Sequence, residues 1–272
     1  DSPSGCTEEI QQYLCDTLLA MGYMPRRLVK GGVHVTLGGE GEPLTLMAHA
    51  DTLGAAVHYI KPNGRLAISN INLNAFNVEG ENVRIITRFN GSYEGTLQLC
   101  NASIHVNPEP YQARDLNKNM EIVLDQDVHC EEDVKALGIL PGDVIALDPR
   151  FRITDTGYVK SRFLDDKASV VALLTLAKWV KDSGVQLNRG GDLLFTVFEE
   201  VGHGGACGIA EDTVEVIAVD MGCVGEHVTC TERQVSICAK DNSGFYNREM
   251  TSKLICCAQK AKVDYAVDIF YS

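Results

Sequence analysis

The 272-residue sequence is short of several things, and each shortage excludes a class of function. No apolar run approaches the roughly 18 residues that a membrane-crossing helix needs. The start, "DSPSGCTEEI", lacks the basic and apolar regions of a signal peptide. A soluble, cytoplasmic protein is expected. Basic residues number 24 against 37 acidic ones, and the formal net charge of −13 repels phosphate backbones at long range. With no basic run to overcome it, neither nucleic acid nor a membrane is an expected partner. The ten cysteines never take the paired C-x-x-C spacing of a zinc ribbon, and several sit in apolar stretches such as "LICCAQ". They read as small core residues of a reduced compartment. A single tryptophan leaves little to stack on sugar rings.

What is present is a globular pattern. At 45% hydrophobic residues the chain can bury roughly three quarters of its unfolded surface, in one large domain or two smaller ones. Residues 7–21 carry Ile10, Tyr13, Leu14, Leu18 and Met21 on one helical stripe, with Glu8 and Glu9 at the positive end of the dipole. "GGVHVTLGGEGEPLTLMAHAD" supplies two β runs around a Gly-rich turn, the second apolar enough to lie inside a sheet and ending at His49 and Asp51. Between Thr52 and Asp148, Asn63-Gly64 and Asn90-Gly91 separate alternating segments such as "VRIITRF" and "YEGTLQL", the sequence signal of hairpins. This stretch, 52–148, reads as an inserted all-β domain, barrel or PDZ-like, with one short helix near "EEDVKALGI". Afterwards helix and strand alternate: helix 167–182, "DLLFTVF", a Gly-rich loop, "VEVIAVD", a helix near 249–261 and "YAVDIF". The expected fold class is α/β: a three-layer α/β/α domain with a mixed sheet, made of residues 1–51 and 149–272 and interrupted by the β insertion.

Open α/β sheets bind ligands outside the carboxyl ends of their strands. His49, Asp51, Asp165, Glu199, Glu200 and Asp220 all fall at strand or loop ends of this domain, and imidazole with carboxylates is a metal-binding donor set. In "HAD" the two side chains point the same way, which suits Asp51 to hold one ring proton of His49 and aim the other nitrogen at a metal. Adjacent Glu199 and Glu200 diverge, so one can bind metal while the other handles protons. Asp220 ends an apolar run in "VIAVDMG". In "SRFLDDKAS", Asp166 reads as an N-cap for a helix with Val170, Leu173, Leu174, Ala177 and Val180 on one face, which leaves Asp165 unexplained. Any one of these fragments is equally an ordinary cap or loop; four together in one domain favour a metal site. Glycines 202, 204 and 205 lack a following G-K-[ST], so they read as a tight turn that leaves room for substrate backbone and not as a phosphate loop.

In order, "DSPSG", "AHADTLG", "FLDDKAS", "FEEVGHGGA" and "AVDMG" resemble the dinuclear metallo-aminopeptidases of the glutamyl and tetrahedral aminopeptidase family, some of whose members carry the label endoglucanase. The resemblance spans essentially the whole chain. It implies two divalent metal ions, zinc, cobalt or manganese, with Asp165 bridging them. His49 and Asp220 would complete one ion's protein ligands, Glu200 would serve the other, Glu199 would be the general base and Asp51 would orient His49. Lys167 stands where the family commonly has arginine, and His203 where it has an apolar residue. The implied activity is removal of the N-terminal residue from short peptides, and the β insertion would be the dimerisation domain of a homo-oligomer, commonly a tetrahedral dodecamer. Two rivals remain: a metal-binding assembly protein without catalysis, and a glycoside hydrolase. The second is disfavoured because neighbouring glutamates on one strand point apart, whereas such chemistry needs carboxyl groups flanking one bond at ~5 to 9.5 Å. The resemblance also implies a further metal-binding histidine well beyond "YAVDIF", past the last residue, Ser272. The chain as written is accordingly expected to hold at most one ion tightly, with little peptidase activity, whereas the complete gene product is expected to be a two-metal enzyme.

Overall fold

In the computed structural model, which describes residues 1–271, the apolar stripe at the start forms helix α1 (Glu8–Ala20) and buries Leu14, Cys15 and Leu18. Glu8 and Glu9 occupy its first turn, where carboxylates offset the positive helix end. The chain then forms β1 (Arg26–Arg27), β2 (Val33–Gly38) antiparallel to it, and β3 (Leu44–His49). β3 buries Thr45 from one face and Ala48 from the other, which is why its sequence shows no alternation.

Six strands follow: β4 (Gly54–Ile60), β5 (Leu66–Ile71), β6 (Asn82–Ile86), β7 (Ser92–Leu99), β8 (Met120–Leu124) and β9 (Val144–Leu147), with helix α2 (Glu131–Ala136) before the last. They close into a barrel in the order β4-β5-β8-β7-β6-β9. The first and last strands are hydrogen-bonded neighbours, Ala55 opposite Ile145, so the barrel has no open edge. Alternate residues such as Val83 and Ile85, or Ile122 and Leu124, fill its interior. The two Asn-Gly corners join β4 to β5 and β6 to β7; Gly64 and Gly91 there take φ of 76° and 75°, a region glycine enters without a Cβ penalty.

A short hairpin, β10 (Arg152–Ile153) with β11 (Val159–Lys160), leads back to helix α3 (Leu164–Ser183). Asp165 and Asp166 lie outside helical backbone geometry, so the regular helix runs from Lys167, where the periodicity placed it. Its stripe, Val170, Leu173, Leu174, Ala177 and Val180, is buried, each large side chain contributing about 1.5–3 kcal/mol over exposure. Phe163, just before the helix, packs against the barrel core instead. The two aspartates therefore sit on the short span between two cores.

β12 (Gly191–Thr196) enters between β2 and β3, antiparallel to the first and parallel to the second, and β13 (Glu215–Ala218) lies parallel to β3 on its other side. The sheet reads β1-β2-β12-β3-β13 and is mixed. Val33, Val35, Ala48, Leu193 and Phe195 share one core with α1 and α3. The architecture is α/β with an inserted closed β-barrel.

The chain divides into one unit, Asp1–Val219, and a second that begins at Asp220. In the second, β14 (Val235–Asp241) pairs antiparallel with β15 (Gly244–Phe245) and parallel with β16 (Tyr265–Ile269), and α4 (Arg248–Ala261) starts at Asn247, whose side chain accepts the Met250 N–H. The Asp268 carboxylate accepts the N–H groups of Thr229 and Cys230, tying the preceding loop to β16. Cys256 and Cys257, read as core residues, are exposed on α4, and Cys15 and Cys230 alone among the described cysteines are buried. None of the described helices is long and apolar enough to cross a membrane.

Candidate metal centre

Parallel pairing brings the ends of β3 and β12 to one edge of the sheet: His49 lies opposite Thr196, and the Ala50 N–H donates to the Thr196 carbonyl. Glu199 and Glu200, a few residues beyond β12, thus reach the edge that carries His49. The non-helical start of α3 adds Asp165 and Asp166.

The His49 ring is the hub. Its Nε2 lies 3.0 Å from Asp165 Oδ1 and 3.6 Å from Glu199 Oε2. Its Nδ1 lies 3.0 Å from the Asp51 carbonyl oxygen and 3.5 Å from Asp51 Oδ1. The nearer acceptor for an Nδ1 proton is the backbone carbonyl, not the carboxylate expected from the H-x-D spacing. With Nδ1 turned to Asp51, Nε2 points to the side where the acids gather.

The Asp51 carboxylate has other partners. It is fully buried and accepts the Ser4 hydroxyl at 2.5 Å and the N–H groups of Glu199 and Glu200 at 3.2 and 3.4 Å. Burial pushes its carboxyl pKa up, but the bonds from His49, Ser4 and Glu199 outweigh this and hold it below the ordinary value. Asp166 is also fully buried, and its carboxylate accepts the backbone N–H of His49 at 3.1 Å. It immediately precedes the regular helix, and its carboxylate also reaches back to the strand that carries His49. The doubled acid was the visible signal, because a cap accounts for one carboxylate of two.

Glu200 is half-buried. Burial first, and the neighbouring Asp165 charge second, push its pKa up to about 7, while His49 acts the other way. The Glu200 carbonyl accepts the Asn72 side chain at 2.5 Å, a contact from the end of barrel strand β5 that no sequence pattern indicated. The turn that follows is braced from below: Lys30 Nζ donates to the His203 carbonyl and stands 5.8 Å from the Phe198 ring, on which the His203 ring stacks at 5.2 Å. Gly204 is glycine because a Cβ there would come within 2.9 Å of Glu199 Cβ. Lys167 donates to Ser2 Oγ at 2.6 Å, and burial pushes its pKa down to about 8. Asp220 is the first residue of the second unit, two positions past β13, and its carboxylate accepts the Met221 N–H at 2.6 Å.

The Nε2 nitrogen of buried His49, with carboxylates around it, suits zinc, cobalt or manganese. The raised Glu200 pKa is consistent with such a fit, since a cation there would supply the charge that the crowded acids lack.

The profile of the family described as M42 glutamyl aminopeptidase matches residues 31–272. "Putative aminopeptidase YhfE" of Bacillus subtilis (strain 168) is 41% identical over 272 residues, spanning 99% of this chain and 79% of that protein. Among solved structures, a TET aminopeptidase from a marine sediment Thaumarchaeota archaeon superposes with a TM-score of 0.91 at 20% identity, covering 100% of this chain and 79% of that one. The Pyrococcus horikoshii TET1 peptidase, which can assemble into a tetrahedron or a large octahedral shell, gives 0.88 at 24% identity, with 100% and 82% covered.

Proposed function

Because the chain belongs to the M42 glutamyl aminopeptidase family, and is thereby a hydrolase of peptides, we propose that it removes the N-terminal residue of short peptides at a centre for two divalent cations. In this reading Asp165 would serve both, His49 and Asp220 would hold one, and Glu200 would hold the other. The observation that carries it is the convergence of Asp165 and Glu199 on His49 Nε2, at 3.0 and 3.6 Å, with Nδ1 turned to the Asp51 carbonyl. Register supports Asp220: it follows Ala218 by two positions as His49 follows Met47, and Ala218 pairs with Met47.

Zinc, cobalt or manganese bound there would polarise the scissile carbonyl and acidify a water. Glu199 would serve as the general base for the attacking water and as the acid for the leaving amine nitrogen, a role worth typically about 10² to 10⁴ in rate. Asp51 fixes the His49 tautomer through its carbonyl and holds the Glu199–Glu200 turn through its carboxylate. Homo-oligomerisation through the barrel, as a tetrahedral dodecamer, completes the reading.

Metal analysis of the full-length protein, with aminoacyl-anilide hydrolysis before and after chelation, tests it. Two cations per chain, and hydrolysis lost on chelation and restored by metal, are expected. Hydrolysis indifferent to chelation would sink the metal mechanism, and metal without hydrolysis would favour the assembly-protein rival. A monomer in light scattering would contradict the oligomer.

A further inference from the structure

The leading motif "DSPSG" has no part in the proposed reaction, yet it is stitched to the strand end that carries His49 and Asp51. Pro3 and Thr52 form a parallel bridge, with the Ser4 N–H donating to the Thr52 carbonyl at 3.1 Å and the Thr52 N–H to the Ser2 carbonyl at 2.9 Å. The Ser2 hydroxyl donates to the Ala50 carbonyl at 2.7 Å and receives Lys167 Nζ at 2.6 Å. The Ser4 hydroxyl donates to Asp51 Oδ2 at 2.5 Å. Pro3 fills the space beside Gly54, where a Cβ would come within 2.6 Å of Pro3 Cβ. "DSPSG" and "AHADTLG" are therefore one packed unit, and Ser2, Ser4 and Asp51 are all buried within it.

The Asp51 carboxylate divides its acceptors. Oδ2 takes the Ser4 hydroxyl and the Glu200 N–H, and Oδ1 takes the Glu199 N–H. The last two bonds, at 3.4 and 3.2 Å, are at the long end of the hydrogen-bond range, so they depend on the plane of the carboxylate. An aspartate's terminal torsion is broad, and the shortest bond decides where it rests.

We propose that Ser4 is a positioning residue of the metal centre: its hydroxyl sets the plane of the Asp51 carboxylate, and through it the turn that bears Glu199 and Glu200. This rests on the reading of that centre given above. Ser2, anchored by Lys167 on one side and by Ala50 on the other, keeps the segment in place.

The test uses full-length Ser4→Ala and Ser4→Thr. In metal-free protein, the Glu199 and Glu200 amides of Ser4→Ala are expected to exchange hydrogen about 10-fold faster or more, because opening now costs one bond fewer. Cobalt(II) titration is expected to show an altered ligand-field spectrum and an affinity lower by about 10- to 100-fold. Turnover of an aminoacyl-anilide is expected to fall with KM held within about two-fold, and Ser4→Thr to restore all three. Wild-type exchange, cobalt spectrum and kcat in Ser4→Ala would overturn the proposal. If the wild type takes up no cobalt and hydrolyses nothing, the reading of the centre fails, and the exchange rates alone decide on Ser4. Should Ser4→Ala not fold, Ser4→Cys, which keeps the shape with a weaker donor, carries the same comparison.

Discussion

The carboxylate of Asp166 accepts the backbone N–H of His49 at 3.1 Å, across 117 positions of sequence. With Asp165 on the ring of the same histidine at 3.0 Å, the paired aspartates hold His49 from two sides. Asp166→Ala leaves a buried N–H without this acceptor, and the loss of a charge-assisted bond costs about 1.5–3 kcal/mol. Asp166→Asn keeps an acceptor and should lose less. Urea unfolding of the metal-free protein is expected to rank wild type above Asn above Ala; equal losses in both variants would mean that this bond is not the source of the cost.

Glu199 and Glu200 are expected to fail differently. Glu199→Gln should lose about 10² or more in turnover while retaining its cations, because a base is gone and no ligand is. Glu200→Gln should lose metal as well. Metal analysis beside single-turnover kinetics checks this, and equal metal loss in both would reverse the assignment.

The cation-free Glu200 carboxyl sits at about 7 against an ordinary 4.5. Its folded pKa lies above its unfolded one, so its contribution to stability is complete below the unfolded value and is lost as pH rises through about 7. Thermal midpoints of metal-free wild type are expected to fall across that window more steeply than those of Glu200→Gln, whose amide cannot ionise. Parallel curves would show that another group titrates. Zinc or cobalt in excess should remove the fall.

Gly204→Ala places a methyl against Glu199, whose Cβ would be 2.9 Å away. The turn is mostly exposed, so little stability should be lost, but a displacement approaching 1 Å at a catalytic group can cost on the order of 10² in rate. Anilide turnover falling at least 10-fold, with the unfolding midpoint nearly unchanged, is the expected result; unimpaired turnover would show that the turn yields elsewhere.

The amino-acid pattern alone carries much of the architecture. α1 and α3 are legible because one helical face must be apolar, and the barrel is legible because Asn63-Gly64 and Asn90-Gly91 turn alternating strands back on themselves. The insertion of β12 between β2 and β3 is not legible, since pairing between strands some 150 positions apart leaves no local pattern. At the site, the kinds of side chain are readable and their directions are not. That His49 Nδ1 meets the Asp51 carbonyl, that Asp166 turns inward, and that Ser4 reaches Asp51 all depend on how the backbone leaves a strand or enters a helix. Cys256 and Cys257 mislead because an apolar stretch of α4 does not by itself define a buried face.

The closure of the barrel by β4 against β9 bears on how the centre forms in time. His49 and Asp165 are 116 residues apart along the chain, but once the barrel is folded its two ends lie a strand spacing apart, and the path between them shortens to roughly 23 residues. The entropy of bringing the two side chains together falls accordingly, by about 1.4 kcal/mol. The barrel is thus a spacer that becomes short by folding, and its assembly should precede the meeting of histidine and aspartate. Ile145→Ala in the barrel core should slow the recovery of cobalt binding during refolding more than an equally destabilising Leu14→Ala in α1, and stopped-flow refolding into cobalt would read that order directly.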